Sequence, residues 1–299
     1  MNPSQYHACR KTVTLSQGEI SYVVAGEGPA ALFVHGLMLN NSVWRQVISR
    51  LGEHRTCYAV DLMGHGRSQV SLEQDIGMES QAEMLAEFCA TLGLQTVDAV
   101  ANDFGGGITQ IFAINNPDRL RTLTLTNCDA HYNLGPPIDL RKIVPLAKSG
   151  KLGDAVAFML DNIEAAHSLF PGRGFQNPKN LTPAVVWELL GPGFAPDRVT
   201  ADTGEVRNDL AIHGRRNFER FILSVRGDEL VRIEPALKNL NIPTHLIWGT
   251  EDSYFGLPWA FWLRDTIPGC DRLSEIEGGC LFAPIERPQE VVTAMLDYW

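Results

Sequence analysis

The sequence predicts an α/β fold: a mostly parallel sheet with helices on both faces and a helical cap inserted into the chain. Three observations predict it. Short apolar runs alternate with helix-patterned stretches up to about residue 130; the same rhythm returns near residue 240; and the stretch between shows helical spacing without strands.

Taken in order, Glu19 to Val24 has strand character, and Ala30 to Val34 is a short apolar run ending at His35-Gly36. A helix pattern from Val43 to Leu51 follows, and Thr56 to Val60 is a strand ending at Asp61. Ser80 to Leu92 spaces Met84, Leu85, Phe88 and Leu92 on one helical face, and Val97 to Ala101 is the next strand. A helix from about Gly106 to Asn115 is stopped by Asn116-Pro117, after which Leu120 to Leu125 alternates as a strand.

The rhythm then breaks. Leu152 to Ile163, Pro183 to Leu190 and Arg216 to Val225 are helix-like, joined by loops dense in Pro and Gly at Phe170 to Gly174 and Gly191 to Pro196. It resumes with strands Thr244 to Trp248 and Arg272 to Ile276 and a last helix Pro288 to Trp299. Residues 1–132 and 231–299 are therefore expected to form the core, with 133–230 as the cap. Within the cap, Phe158, Met159, Leu160, Phe170, Phe175, Trp187, Leu189 and Leu190 either line a substrate chamber or form the cap's own core. Trp259, Phe261 and Trp262 read as helix packing.

Composition narrows the function classes. Hydrophobic residues at 44% and charged residues at 20% exclude disordered, collagen-like and low-complexity chains. The 35 acidic against 25 basic side chains give a formal net charge of −10, which repels nucleic acid and anionic membrane. No apolar stretch approaches the roughly 20 residues that span a bilayer, and Met1 to Lys11 lacks the apolar centre of a secretory signal. The six cysteines, Cys9, Cys57, Cys89, Cys128, Cys270 and Cys280, are widely spaced with no metal-ligand pattern. They read as mostly buried, reduced thiols in a cytoplasm. A small-molecule substrate is the expected partner, with neither metal nor other cofactor called for; the oligomeric state cannot be read.

The chemistry is concentrated in Ala101-Asn102-Asp103-Phe104-Gly105-Gly106, between a strand and a helix. Small residues on both sides of a central side chain let the chain turn so sharply that this side chain stands at the sheet's C-terminal edge. Asp103 occupies that centre. An aspartate before a Gly-rich helix start is also a common N-cap, and both readings stand on the hexapeptide alone.

Context adds His35-Gly36-Leu37 after one strand and Asp61-Leu62-Met63-Gly64-His65-Gly66-Arg67-Ser68 after the next. With the elbow, these landmarks in this order resemble the α/β-hydrolase superfamily, over about residues 19–130 and 240–299. An Asp at the elbow resembles the haloalkane dehalogenase and epoxide hydrolase branch, in which the carboxylate attacks carbon and forms an alkyl ester. The resemblance implies an oxyanion hole from the N–H groups of Leu37 and Phe104, and a His-orienting acid at Asp252, after the strand His245-Leu246-Ile247-Trp248. Asp129 stands at the branch's alternate acid location.

The sequence departs from that pattern where the branch carries its histidine. In Glu277-Gly278-Gly279-Cys280-Leu281-Phe282-Ala283-Pro284-Ile285-Glu286-Arg287-Pro288, alignment on Phe282 and Pro288 puts Leu281 in the histidine's place, and a one-residue shift puts Cys280 there. A general base for water would be missing, which costs ~10²- to 10⁴-fold. Leu37 and Phe104 also stand where the branch has its halide-binding Asn and Trp. Of the other histidines, His35 and His65 read as loop residues and His167 and His213 lie in the cap. His131, two residues after Asp129, is the candidate substitute base.

Three readings follow. Asp103 is a nucleophile on a small apolar substrate with a relocated base; or a proton acceptor in a cofactor-free lyase, isomerase, epimerase or cyclase, its proton affinity raised by a low-dielectric pocket; or part of a ligand-binding member without turnover. Analogy with the fold's many hydrolases puts the first slightly ahead.

Overall fold

Eight strands make one sheet in the order β1-β2-β4-β3-β5-β6-β7-β8. The computed structural model describes residues 1–134, 140–195 and 210–299. The strands are β1 (Arg10–Leu15), β2 (Gly18–Ala25), β3 (Ala30–Val34), β4 (Thr56–Val60), β5 (Val97–Asp103), β6 (Leu120–Cys128), β7 (Thr244–Gly249) and β8 (Cys270–Ile276). The β1–β2 and β2–β4 pairs are antiparallel, and every pair from β4 to β8 is parallel.

Each predicted strand is present, most of them longer by a residue to three. Sequence reading missed the first helix, α1 (Pro3–Ala8), and strand β1, whose residues Arg-Lys-Thr-Val-Thr-Leu are too polar to mark a core strand. β1 is an edge strand with only Leu15 buried, which is why polar residues suffice there. The central β5 is the opposite case. All seven of its residues are buried, as expected of a parallel strand covered on both faces.

On the faces of the sheet lie α2 (Arg45–Leu51), α3 (Met78–Thr91) and α4 (Phe104–Asn115). The glycines of α4 bring it against the ends of β3 and β6. A Cβ on Gly105 would come within 2.3 Å of the His35 carbonyl, and one on Gly106 within 2.3 Å of the Cys128 Cβ. Only glycine allows both approaches.

Between β6 and β7 the described residues carry helices and no strand of the sheet: α5 (Leu140–Lys148), α6 (Leu152–Phe158), α7 (Ile163–Ser168), α8 (Pro183–Phe194), α9 (Leu210–Ser224), α10 (Glu229–Arg232) and α11 (Glu234–Leu237). Two expectations are corrected here. The Leu152 to Ile163 helix is two helices, and the Gly191 end of the supposed loop lies inside α8, whose Pro192 leaves the last turn intact; Pro196 lies outside the described residues. Of the apolar residues named in this segment, Met159, Leu160, Phe170, Phe175, Leu189 and Leu190 are buried, Phe170 and Phe175 against Phe282, whereas Phe158 is exposed. After β7 come α12 (Leu257–Thr266), α13 (Ala283–Glu286) and α14 (Pro288–Leu296).

Cap and core are joined by specific contacts. Arg45 of α2 forms an ion pair with Glu188 of α8, and Asn40 donates to the Glu188 and Leu189 carbonyls at 2.9 and 2.7 Å. The Phe282 ring packs on Phe170 and Phe175 at 5.8 and 4.8 Å between centroids. A Cβ on Gly174 would meet that ring at 2.7 Å. All six cysteines are free thiols, four of them buried. No described helix is long and apolar enough to cross a membrane.

Candidate active site

The parallel strands end together at one edge of the sheet, and the functional side chains are carried on the turns that leave it. Asp103 closes β5 and caps α4 with φ 57° and ψ −137°, a backbone that an L side chain adopts only under constraint. Its Oδ1 accepts the Phe104 N–H at 2.8 Å. The carboxylate caps the helix and sits at the sharp turn between β5 and α4.

Next to it, a Cβ on Gly36 would lie 2.3 Å from Asp103 Oδ2, so the His35-Gly36-Leu37 turn has its glycine because the carboxylate needs the room. Met38, at φ 54°, bends the chain immediately after Leu37. The Phe104 and Leu37 N–H groups both stabilise the Asp103 charge.

Asp103 is fully buried, and its Oδ2 has no hydrogen-bond partner. Burial pushes its proton affinity up to a pKa of about 7; the Phe104 N–H opposes this, the charge of Asp252 adds to it, and the Leu37 N–H opposes it. No cation offsets the rise. Asp252 follows β7 and is likewise pushed up by burial, to about 6, against the pull of the Tyr254 and Phe255 N–H groups and the Asn127 amide.

Among the described residues no histidine is hydrogen-bonded to Asp252. Its Oδ1 accepts the Tyr254 N–H at 2.8 Å, and its Oδ2 accepts the Asn127 Nδ2 at 2.8 Å. Leu281 is fully buried, and its carbonyl accepts from Asn102 Nδ2 at 3.2 Å. Cys280 is also buried, its thiol directed to the Glu251 carbonyl at 3.4 Å and pushed up to about 11 by burial.

The other histidines are engaged elsewhere. The Leu62 N–H donates to His35 Nε2 at 3.0 Å and His35 Nδ1 lies 2.7 Å from the Gly36 carbonyl, so both ring nitrogens hold loops together. Burial lowers the proton affinity of His35, and takes His65 down to about 3. His65 stacks edge-on against Phe221 of α9 at 5.2 Å, and Phe221 against Phe104 at 5.5 Å, so the cap reaches the elbow through one aromatic ring. His131 Nε2 meets Glu234 at 2.9 Å, with its ring against Trp262 at 4.9 Å. It is a junction residue between the chain leaving the core and the chain returning to it, not a partner of the Asp103 carboxylate. His167 Nε2 meets the Leu181 carbonyl at 2.9 Å; the His213 side chain lies outside the described residues. Asp129 is buried, and its N–H reaches the Asp103 carbonyl at 3.4 Å.

Two asparagines escaped the sequence reading. Asn102 Nδ2 ties the elbow strand to Thr126 and to the Leu281 carbonyl. Asn127, with φ 23°, sits where the β5–β6 register shifts, accepts the Gly249 N–H at 2.7 Å and donates to Asp252. The available signal was the run Thr126-Asn127-Cys128-Asp129 past the apolar strand, since asparagine is enriched at positive φ. Among the described residues no group of three or more His, Cys, Asp or Glu side chains is arranged to hold a metal ion.

The family profile described as alpha/beta hydrolase fold matches residues 29–258. An uncharacterized protein of Mycobacterium tuberculosis is 24% identical over 261 residues, covering 86% of this chain and 71% of the relative. Haloalkane dehalogenase 2 of the same organism is 32% identical over 112 residues, which cover 38% of this chain and 39% of that protein. The crystal structure of an alpha/beta hydrolase fold protein from Burkholderia ambifaria superposes with a TM-score of 0.77 at 20% identity, over 96% of this chain and 97% of that one. The profile spans most of the chain, and the sheet order and strand-end turns agree with it: the chain belongs to the α/β-hydrolase fold family.

Proposed function

We propose that this protein is an enzyme without a cofactor whose working group is Asp103, and that Oδ2 takes a proton from, and returns it to, a small and largely apolar organic substrate. One observation carries the reading. Asp103 is sealed from solvent with Oδ1 held by a backbone N–H, while Oδ2 has no hydrogen-bond partner among the described residues, and an unpartnered oxygen on a buried carboxyl is one signature of a reactive group. A pKa of about 7 makes that oxygen both an acceptor and a donor near neutral pH, where proton transfer is most efficient. The surroundings agree: Phe104 with Phe221, and Tyr254 with Phe170 and Phe282, present rings to the same region. The product class is that of a lyase, isomerase, epimerase or cyclase.

A second reading, hydrolase-like chemistry with Asp103 as nucleophile, is favoured by the asymmetry of the carboxylate. With Oδ1 among the oxyanion donors, Oδ2 is the atom left to attack carbon and form an alkyl ester. Hydrolysis of that ester then lacks its base, because the place of the histidine is filled by buried Leu281 and the acid is held by Asn127 and a backbone amide. The acidic net charge and free thiols support a cytoplasmic setting.

Intact-protein mass spectrometry after incubation with bromoalkanes, epoxides and activated esters separates the two, with Asp103→Asn as control. An unchanged mass together with Asp103-dependent conversion of a carbon acid or epimerisable substrate supports proton transfer. A stable Asp103-dependent adduct supports the nucleophile. Asp103→Asn is expected to abolish either activity while the variant stays folded, with a far-UV circular dichroism spectrum like the parent's; retained turnover overturns both readings.

A further inference from the structure

Resting on that reading, a second question is which of two buried carboxyls holds the exchangeable proton, and what decides it. Asn127 lies at the end of β6, one residue before the position where Cys128 pairs with Asp103 after a register shift. The shift and its φ of 23° turn its amide towards the exit of β7. There the orientation of the amide is fixed at both ends. Its Oδ1 accepts the Gly249 N–H at 2.7 Å, so its Nδ2 must face the other way, towards the Gly249 carbonyl at 3.3 Å and Asp252 Oδ2 at 2.8 Å. With the Tyr254 N–H on Oδ1, each Asp252 oxygen has a donor, whereas Asp103 keeps one oxygen bare.

A carboxylate whose two oxygens both accept is favoured in its charged form over one with an unpartnered oxygen in the same low-dielectric site. We propose that Asn127 is a positioning residue that fixes Asp252 as the charged member of a buried carboxyl pair and leaves the exchangeable proton on Asp103. The acid that the family uses to orient a histidine would here act on the elbow carboxyl through space.

The phenol and thiols nearest the pair are protonated at neutral pH. Tyr254 is pushed up to about 12 and Cys280 to about 11, and Cys128 stands well above its ordinary value, each chiefly by burial. Arg173 acts on Tyr254 and Asp129 on Cys128. Burial pushes both Asp103 and Asp252 up.

The test is a titration of the whole protein labelled with carboxyl-¹³C aspartate, the Asp103 resonance being the one lost in Asp103→Asn. Two variants are compared with the parent: Asp252→Asn removes the charge, and Asn127→Gly removes the amide at a backbone angle that glycine accepts. In both, the Asp103 midpoint is expected to fall, by about one pH unit, the lower end of the effect of a close charge. A fall in Asp252→Asn alone overturns the role of Asn127, and no change in either variant overturns the pairing. Should Asn127→Gly not fold, Asn127→Ser carries the same expectation, because its hydroxyl is too short to reach Asp252. The underlying reading fails differently: an Asp103 that already titrates with ordinary carboxylates in the parent protein removes proton transfer, whatever the variants do.

Discussion

Strand β5 carries two fully buried aspartates, one at each end, and they are held in opposite ways. Asp98, at the start of the strand, is met by Arg55 Nε at 2.7 Å, by Arg121 Nε and Nη2 at 2.9 and 2.7 Å, and by the Thr122 hydroxyl at 2.8 Å. Asp103, at the end, has the Phe104 N–H on Oδ1 and, among the described residues, no cation and no hydrogen-bond partner on Oδ2. A charge that merely has to be buried is surrounded by cations and hydrogen bonds; one that has to react is left incomplete. On the proposed function, the N-terminal end of this sheet serves stability and the C-terminal edge chemistry, a division that the two carboxylates put to the test within one strand.

The largest effect should come from exchanging their fates. Asp98→Ala leaves the partly buried guanidinium groups of Arg55 and Arg121 without their anion and is expected to cost about 3 kcal/mol of stability, read by urea unfolding, with turnover per folded molecule unchanged. Asp103→Asn should do the reverse, losing turnover with no loss of stability. If the two variants behave alike, the division between the ends of the sheet is wrong.

The next effect concerns the histidine's place. Leu281→His puts a polar ring into a fully buried site and should cost about 1 to 3 kcal/mol. In return it should supply the missing base: any adduct that bromoalkanes or epoxides leave on Asp103 in the parent protein should decay in the variant, with ester hydrolysis rising ~10²-fold or more. An adduct that persists equally in both proteins would show that position 281 does not face the ester.

How much of this was legible in the sequence follows the same division. β3, β4 and β5 were legible because buried parallel strands are continuous apolar runs, and the elbow because its turn admits few residue types. Polar β1 was not, since an edge strand exposes most of its side chains. Nor was Asn127, whose importance depends on a register shift and on Gly249, 122 residues away in the chain. The absence of a histidine at 281 could be seen from the sequence, but not what had taken over the acid, because no local pattern marks an amide that faces a carboxylate.

A smaller effect lies in the pH dependence of stability. The folded-state pKa of Asp103, about 7, lies above the value of an aspartate in an unfolded chain, so the native protein binds the extra proton between about pH 4 and 7. The contribution of this group is fully present below about pH 4 and is lost as the pH rises through 7, at up to about 1.4 kcal/mol per unit. His65 and His7 run the other way. Their folded-state values, lowered by burial to about 3 and about 4, contribute stability above the unfolded value near 6.5 that is lost on acidification. The total profile is a compromise, so the informative quantity is a difference. The melting temperature of Asp103→Asn minus that of the parent should climb from about pH 4 to 7 and level off above. A flat difference would mean that burial does not raise the proton affinity of Asp103.

The smallest effect is expected at Cys280, and it settles the alignment of the loop. If a one-residue shift had placed the thiol in the histidine's position, Cys280→Ala would remove a working group. The structure directs the thiol instead to the Glu251 carbonyl and keeps it protonated, with burial pushing it up to about 11, so that it has almost no thiolate at neutral pH. Cys280→Ala should therefore leave Asp103-dependent turnover within about twofold and cost no more than about 1 kcal/mol, the value of one weak hydrogen bond and a little packing. Alkylation by iodoacetamide should be slow in the folded protein and fast once it is unfolded. Rapid alkylation in the native state, accompanied by loss of turnover, would move the site's chemistry one residue along the loop and give Asp252 a thiol, in place of an amide, as its partner.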